Sequence, residues 1–354
     1  PLGFVLEGDE IVVPSYRMDV EHKADIAEEI ARFYGYDKIP VTTLRGVAEA
    51  LPTDEQKFER SIHQVLRACG CYEVATYSFI SPKYYDKIKL PADSPLRNCV
   101  TILNPLGEDT SVMRTTTLPS MLEVLSRNYN NRNAAFSCYE LGQEYITRGE
   151  EELPDENQQV TIGMYGKDVD FYTLKGVVET LLKRLHIEDW DICPERENPT
   201  FHPGRCAVVS KGGRMLGVLG EVHPEVQENY SIGMKVYLAK FDVASLYAVA
   251  GRTAGYRPLP KFPATTRDLS LICDRDLPVA EIEKAIRASA GAHLEQVTLF
   301  DVYQGSQIAS DQKSVSYSIT LRSADSTLTD AQADAAVKRV LKALEKINVN
   351  LREK

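Results

Sequence analysis

The chain has 354 residues, 43% hydrophobic and 26% charged, with a formal net charge of −10. Its length allows two or three domains. No apolar run nears the ~20 residues of a membrane-spanning helix, so no such helix is expected, and the acidic balance excludes indiscriminate nucleic-acid binding, which needs concentrated Lys and Arg. The acid is unevenly spread: residues 256–354 carry 14 basic and 13 acidic side chains, so this part approaches RNA without bulk repulsion. With no charged-then-apolar leader at the start, the expected location is the cytoplasm. The opening Pro1-Leu-Gly-Phe-Val-Leu reads as the middle of a domain, so a longer polypeptide is expected. Seven scattered cysteines lack the paired spacing of a zinc site and are expected as reduced core thiols. The six histidines are equally dispersed and are expected to be structural.

The first predicted element follows Val12-Pro-Ser-Tyr-Arg-Met-Asp19. Asp25 and Glu28 have the spacing of a capping box, Glu28 lies four residues before Arg32, and Ile26, Ile30, Phe33 and Tyr34 form an apolar stripe that Gly35 ends. The carboxylates Asp19, Asp25, Glu28 and Glu29 gather at the mouth and first turn of this helix, so they also suit a hard cation such as magnesium. On the residues alone, capping comes first and metal second.

A linker over 41–53 precedes a predicted helix over 55–69, with Phe58, Ile62, Val65 and Leu66 on one face, and a strand over 73–80. Thr117 with Pro119 marks a helix start that buries Leu118, Met121, Leu122 and Leu125. The acidic run over 150–157 reads as a solvated loop. Strands are expected over 160–165, 206–210, 215–222 and 236–243, helices over 170–185 and 224–230, and a two-glycine hairpin turn at Lys211-Gly-Gly-Arg214. The last part alternates strand 268–273, helix 279–290, strands 297–303 and 314–322, helix 330–347 and strand 349–351, which is the βαββαβ order of a ferredoxin-like domain.

No phosphate-binding glycine loop, nucleophile elbow or zinc helix motif occurs, and Glu140-Leu-Gly-Gln-Glu144 is not followed by the arginine that an ATP-holding strand would carry. An autonomous metal-dependent enzyme and a stand-alone RNA-binding module are therefore alternatives to a non-catalytic part of a larger assembly.

These segments resemble the bacterial phenylalanyl-tRNA synthetase β subunit. The carriers are Val12-Pro-Ser-Tyr-Arg-Met-Asp19 and Asp25-Ile-Ala-Glu-Glu-Ile-Ala-Arg-Phe-Tyr-Gly-Tyr36, then the block from Asn104 to Leu122, Phe136-Ser-Cys-Tyr-Glu-Leu-Gly-Gln-Glu-Tyr145, Phe201-His-Pro-Gly, Lys261-Phe-Pro-Ala-Thr-Thr-Arg-Asp268, Leu299-Phe-Asp-Val-Tyr-Gln-Gly305 and Ser326-Thr-Leu-Thr-Asp330. The resemblance implies an α+β chain: the C-terminal part of an acidic magnesium-binding module over 1–40, an inactive class II aminoacyl-tRNA synthetase-like antiparallel sheet domain over 54–250, and a ferredoxin-fold anticodon-binding domain over 256–354. It implies magnesium held by Asp19, Asp25, Glu28 and Glu29, near or shared with an α subunit in an (αβ)₂ tetramer that uses ATP to charge tRNA with phenylalanine. The helix over 55–69 and the strand after it take the layout of the class II dimer-forming motif, so this region is expected to meet α. For the tRNA contact, the polar face of strand 314–322 is expected to be the RNA surface, with Lys261, Arg267, Lys313 and Arg322 as its cations.

Overall fold

The protein is seen here as a computed structural model that describes residues 2–46, 50–149, 152–251, 258–305 and 307–352. The chain divides into two compact units, residues 1–53 and 54–354. The expected start of the C-terminal domain, at residue 256, lies outside the described residues.

In the first unit, β1 (Val5–Glu7) and β2 (Glu10–Val12) form an antiparallel hairpin, followed by α1 (Lys23–Tyr34). The helix starts three residues earlier than the capping-box reading requires. His22 is its N-cap, and Asp25 sits one turn in, its carboxylate accepting the backbone N–H groups of His22 and Glu21 at 2.7 and 2.9 Å. Gly35 ends it as expected, at φ +105° with its N–H donating to the Ala31 carbonyl.

The second unit opens with α2 (Asp54–Ala68), whose Ile62 and Leu66 are buried in this unit's own core. The predicted strand over 73–80 survives only as β3 (Tyr72–Glu73) and β4 (Phe79–Ile80). Between them the backbone turns to other partners: Thr76 N–H donates to the Glu140 carboxylate and the Ser78 carbonyl accepts from Arg114 N–H. Then come α3 (Lys83–Lys87), β5 (Val112–Met113) and α4 (Leu118–Asn130), the last burying Leu118, Met121, Leu122 and Leu125 as its spacing predicts.

A long hairpin of β6 (Phe136–Ile146) and β7 (Asp155–Tyr165) follows. Its arms take in part of the expected acidic loop, since Asp155 to Asn157 pair with Ile146 to Glu144. After α5 (Phe171–Arg184) come β8 (Asp191–Pro194), β9 (Phe201–Lys211), β10 (Arg214–Val222), α6 (Pro224–Asn229), β11 (Val236–Asp242) and α7 (Val243–Val249). Gly212 and Gly213, at φ +57° and +81°, make the expected tight turn between β9 and β10.

β4 and β5 pair with each other, and the other strands form one sheet in the order β3-β6-β7-β11-β10-β9-β8, antiparallel except where β3 meets β6. Both faces are covered. Ile162, Leu219 and Ala239 pack with α2, α5 and α7, while Cys138, Val218 and Leu238 pack with α4 and α6. Cys71, Cys138, Cys206 and Cys273 are buried thiols as expected; burial pushes Cys71 up to about 11 and Cys206 up to about 12. Cys193 departs from that expectation, because it lies on edge strand β8 and is exposed.

Asp170 caps α5 by accepting the Thr173 N–H at 2.7 Å, and that bond chiefly lowers its pKa. Replacing it with Ala should cost about 1 kcal/mol in thermal or urea unfolding. A lowered folded-state pKa stabilises fully above the ordinary Asp value of about 4, and the contribution fades as pH falls through the lowered value. The wild type and the Asp170→Ala variant should therefore converge in stability in strong acid.

The C-terminal part comprises β12 (Thr265–Asp274), α8 (Val279–Ala290), β13 (Leu294–Tyr303), β14 (Gln312–Leu321), α9 (Asp330–Glu345) and β15 (Asn350–Leu351). This is the predicted βαββαβ order, folded into an antiparallel sheet β13-β14-β12-β15. Both helices cover one face: Leu269, Leu271, Val315, Tyr317, Ile319 and Leu321 form a core with Ile282, Ile286, Val340 and Leu344. Lys284 reaches Asp191 of β8 at 2.5 Å, bracing this part against the large sheet.

Candidate functional site

The face of the C-terminal sheet away from its helices is the best candidate for a binding surface. Side chains alternate along a strand, and the register of β12, β14 and β13 places Thr266, Asp268 and Ser270 beside Thr320, Ser318 and Ser316, with Thr298, Asp301 and Tyr303 on the other flank. The core helices pack on the other face, so the flanking Thr266, Asp268, Ser270, Thr298 and Asp301 are exposed, while Ser314 and Ser316 of the central strand are buried at the end where Tyr303 and Arg352 meet. The floor of the bare face is small and polar, with Ser270 and Ser316 hydroxyls 3.2 Å apart. At one end the guanidinium of Arg352 lies 5.5 Å from the Tyr303 ring centroid and donates to Gln307 Oε1 at 3.0 Å. Phe300 stands exposed at the irregularity in β13.

The four cations expected here divide differently. Arg267 is opposite Ile319 and Lys313 is opposite Cys273, so both belong to the helix-covered face. Arg267 binds Asp330 at 2.7 Å and Asp334 at 3.2 Å at the start of α9, and these carboxylates raise its pKa. Lys313 is buried and donates to the Leu277 carbonyl. Arg322 is held by Glu295 at 2.8 Å and by the Phe262 carbonyl. Lys261 alone is exposed without a partner among the described residues. The expectation of a cationic strand end is thus corrected: three of the four guanidinium and ammonium groups brace the domain internally. Tyr303, Asp301 and Arg352, which the sequence reading did not select, are the residues that line the bare face.

In the large sheet the polar groups are turned inward. Arg114 is only 1% exposed and donates to the Gln143 carbonyl at 2.8 Å, to Thr76 Oγ1 at 2.7 Å and to Glu140 Oε1 at 3.3 Å. Glu144 accepts from Thr117 N–H at 2.8 Å and from Lys240 Nζ at 2.8 and 3.0 Å. The histidines singled out by turn contexts serve their own backbones: Nδ1 of His202 accepts the Gly204 N–H and Nδ1 of His223 the Glu225 N–H. The apolar side chains exposed on this part include Tyr72, Tyr77, Phe79, Leu103 and Leu106, with Leu153, Tyr172, Met215 and Tyr247 elsewhere in the sequence, whereas the apolar face of α2 is spent on the core.

The four carboxylates of the first unit do not gather around a vacant centre. Arg17 donates to both oxygens of Asp19, at 2.9 and 2.7 Å, and to Oε1 of Glu29 at 2.9 Å; Arg32 takes Oε2 of Glu29 at 2.6 Å. These bonds hold the carboxyls of Asp19 and Glu29 at about 2. Asp25 faces backbone N–H groups, and Glu28 makes no hydrogen bond or ion pair among the described residues. Oxygen donors are right for magnesium, yet no three His, Cys, Asp or Glu side chains among the described residues converge to hold a metal. As they stand, the residues do not fit the ion that the resemblance implies.

Residues 39–243, more than half of the chain, match the family model of the phenylalanyl tRNA synthetase beta chain CLM domain. The chain belongs to this family. Residues 260–352 match the ferredoxin-fold anticodon binding domain and residues 3–36 the tRNA synthetase B5 domain. The phenylalanine–tRNA ligase β subunit of Clostridium acetobutylicum is 45% identical over 348 residues, which are 97% of this chain and 44% of that protein. The Clostridium tetani subunit is 45% identical over 344 residues, 96% of this chain and 43% of that protein. The chain therefore spans less than half the length of these relatives. Among solved structures, pyrrolysyl-tRNA synthetase from Desulfitobacterium hafniense aligns with a TM-score of 0.47 at 17% identity, covering 57% of this chain and 75% of that one.

Proposed function

We propose that this chain is a non-catalytic part of a phenylalanine–tRNA ligase β subunit, acting in the cytoplasm. It assembles with α subunits into an (αβ)₂ enzyme and offers the bare face of its C-terminal sheet to the anticodon region of the tRNA for phenylalanine. The observation that carries this reading is that face: a polar floor with Tyr303 and Arg352 at one end, in the segment matching an anticodon-binding family. Unstacked bases are bound by such aromatic and guanidinium planes together with hydrogen bonds to their edges. With Asp268 and Asp301 on the same face, affinity comes from these contacts rather than bulk charge, so the salt slope is shallow.

The non-catalytic reading is supported by Arg114 and Glu140, whose charges are spent on each other and on Thr76 and Gln143 inside the fold. ATP and magnesium belong to adenylation on the α subunit. Tyr72, Tyr77, Phe79, Leu103 and Leu106 form the surface offered to α, since so many exposed apolar side chains on one stretch mark an interface. Phenylalanine-dependent ATP–pyrophosphate exchange tests the division of labour. The chain alone should show none, α with the complete β subunit should show it, and exchange by the purified chain without α would refute the reading.

A further inference from the structure

The first unit holds a cation already, and it is a side chain. Arg17 is in the loop before α1, and its guanidinium bridges Asp19 in the same loop to Glu29 in the second turn of the helix. All four oxygens of these two carboxylates are taken by guanidinium groups, three by Arg17 and one by Arg32. Behind Arg17 lies the Phe4 ring, its centroid 5.8 Å from the guanidinium carbon. A guanidinium suits that setting, because it is weakly hydrated, stacks on aromatic faces and matches carboxylates with a planar fork. Magnesium suits it poorly, because it demands near-octahedral oxygens and keeps several waters.

We infer that Arg17 stands in for a divalent cation, so that a metal ion enters this carboxylate group only by displacing its guanidinium from Asp19 and Glu29. The site is then self-neutralised in the chain alone, and metal affinity is set by how often Arg17 leaves. Binding to a rarely populated open arrangement is weakened by the fraction of time it is open. Removing the guanidinium leaves Asp19 and Glu29 facing one another across the space it bridges, and their repulsion then favours a cation.

The test is Mn²⁺ and Mg²⁺ titration of the purified chain, followed by the Mn²⁺ electron paramagnetic resonance signal and by calorimetry. Arg17→Gln should bind Mn²⁺ about tenfold more tightly than the wild type, with Mg²⁺ competing, and adding Asp19→Asn should return it to the wild-type level. Arg17→Lys keeps the charge without the fork and should fall between. If Arg17→Gln does not fold, as judged by circular dichroism, the lysine variant decides by the same comparison. Equal affinity in the wild type and the folded variants would overturn the inference, as would tighter binding that survives Asp19→Asn.

Discussion

Arg114→Ala should be the most damaging single substitution in the large sheet, lowering the melting temperature by about 10 °C. The side chain is 1% exposed and Glu140, its charged partner, is 3% exposed. Removing one member of a buried ion pair leaves the other charged and desolvated, at a cost of about 3–5 kcal/mol. Glu140 keeps its bonds from Thr76 N–H and Oγ1, at 2.9 and 2.8 Å, which limit the loss without cancelling it. Replacing both members with apolar groups of similar size, Arg114→Met with Glu140→Leu, should recover most of the stability, because no unpaired charge remains. Thermal unfolding followed by circular dichroism measures both, and a shift under about 2 °C for Arg114→Ala would mean that the pair is solvated.

That pair also shows where the sequence stopped being legible. Arg114 and Glu140 are 26 residues apart, and no local pattern announces that an extended approach to α4 will send its arginine under β6. The same long-range bonding broke the predicted strand over 73–80 into β3 and β4, since Thr76 answers Glu140 rather than a ladder partner. Periodicity did better wherever burial decides: the apolar stripes of α2 and α4, the two-glycine turn between β9 and β10, and the βαββαβ order all followed from spacing.

The sides on which the C-terminal sheet's cations lie are legible in strand parity. Arg267 has the strand parity of Leu269 and Leu271, and Lys313 that of Val315 and Tyr317, so period-two counting alone puts both on the helix side. Tyr303 was harder to pick. Its placement beside Ser314 depends on the irregularity in β13 between Leu299 and Asp301, which shifts the alternation and is not written in the local sequence. In the first unit, the acidic cluster was legible but its partner was not: Arg17 lies in the same short motif, and only the folded geometry shows it clasping Asp19 and Glu29.

The second large effect concerns tRNA. Tyr303 and Arg352 meet on a face that otherwise offers serines, threonines and two aspartates, so they are the planes on which an unpaired base would stack. Stacking of this kind contributes about 1–3 kcal/mol per base, so Tyr303→Ala or Arg352→Gln should raise the tRNA KM roughly tenfold. Neither residue touches the large sheet domain's buried networks, so steps that do not involve tRNA should be spared. Arg267→Gln, by contrast, should loosen the start of α9 and lower stability with little change in tRNA KM, because its partners are Asp330 and Asp334.

The most direct measurement is therefore the tRNA KM for aminoacylation by α assembled with the complete β subunit carrying Tyr303→Ala, beside phenylalanine-dependent ATP–pyrophosphate exchange by the same preparation. The account predicts a tRNA KM raised roughly tenfold with exchange unchanged. A folded variant with a normal tRNA KM would contradict it.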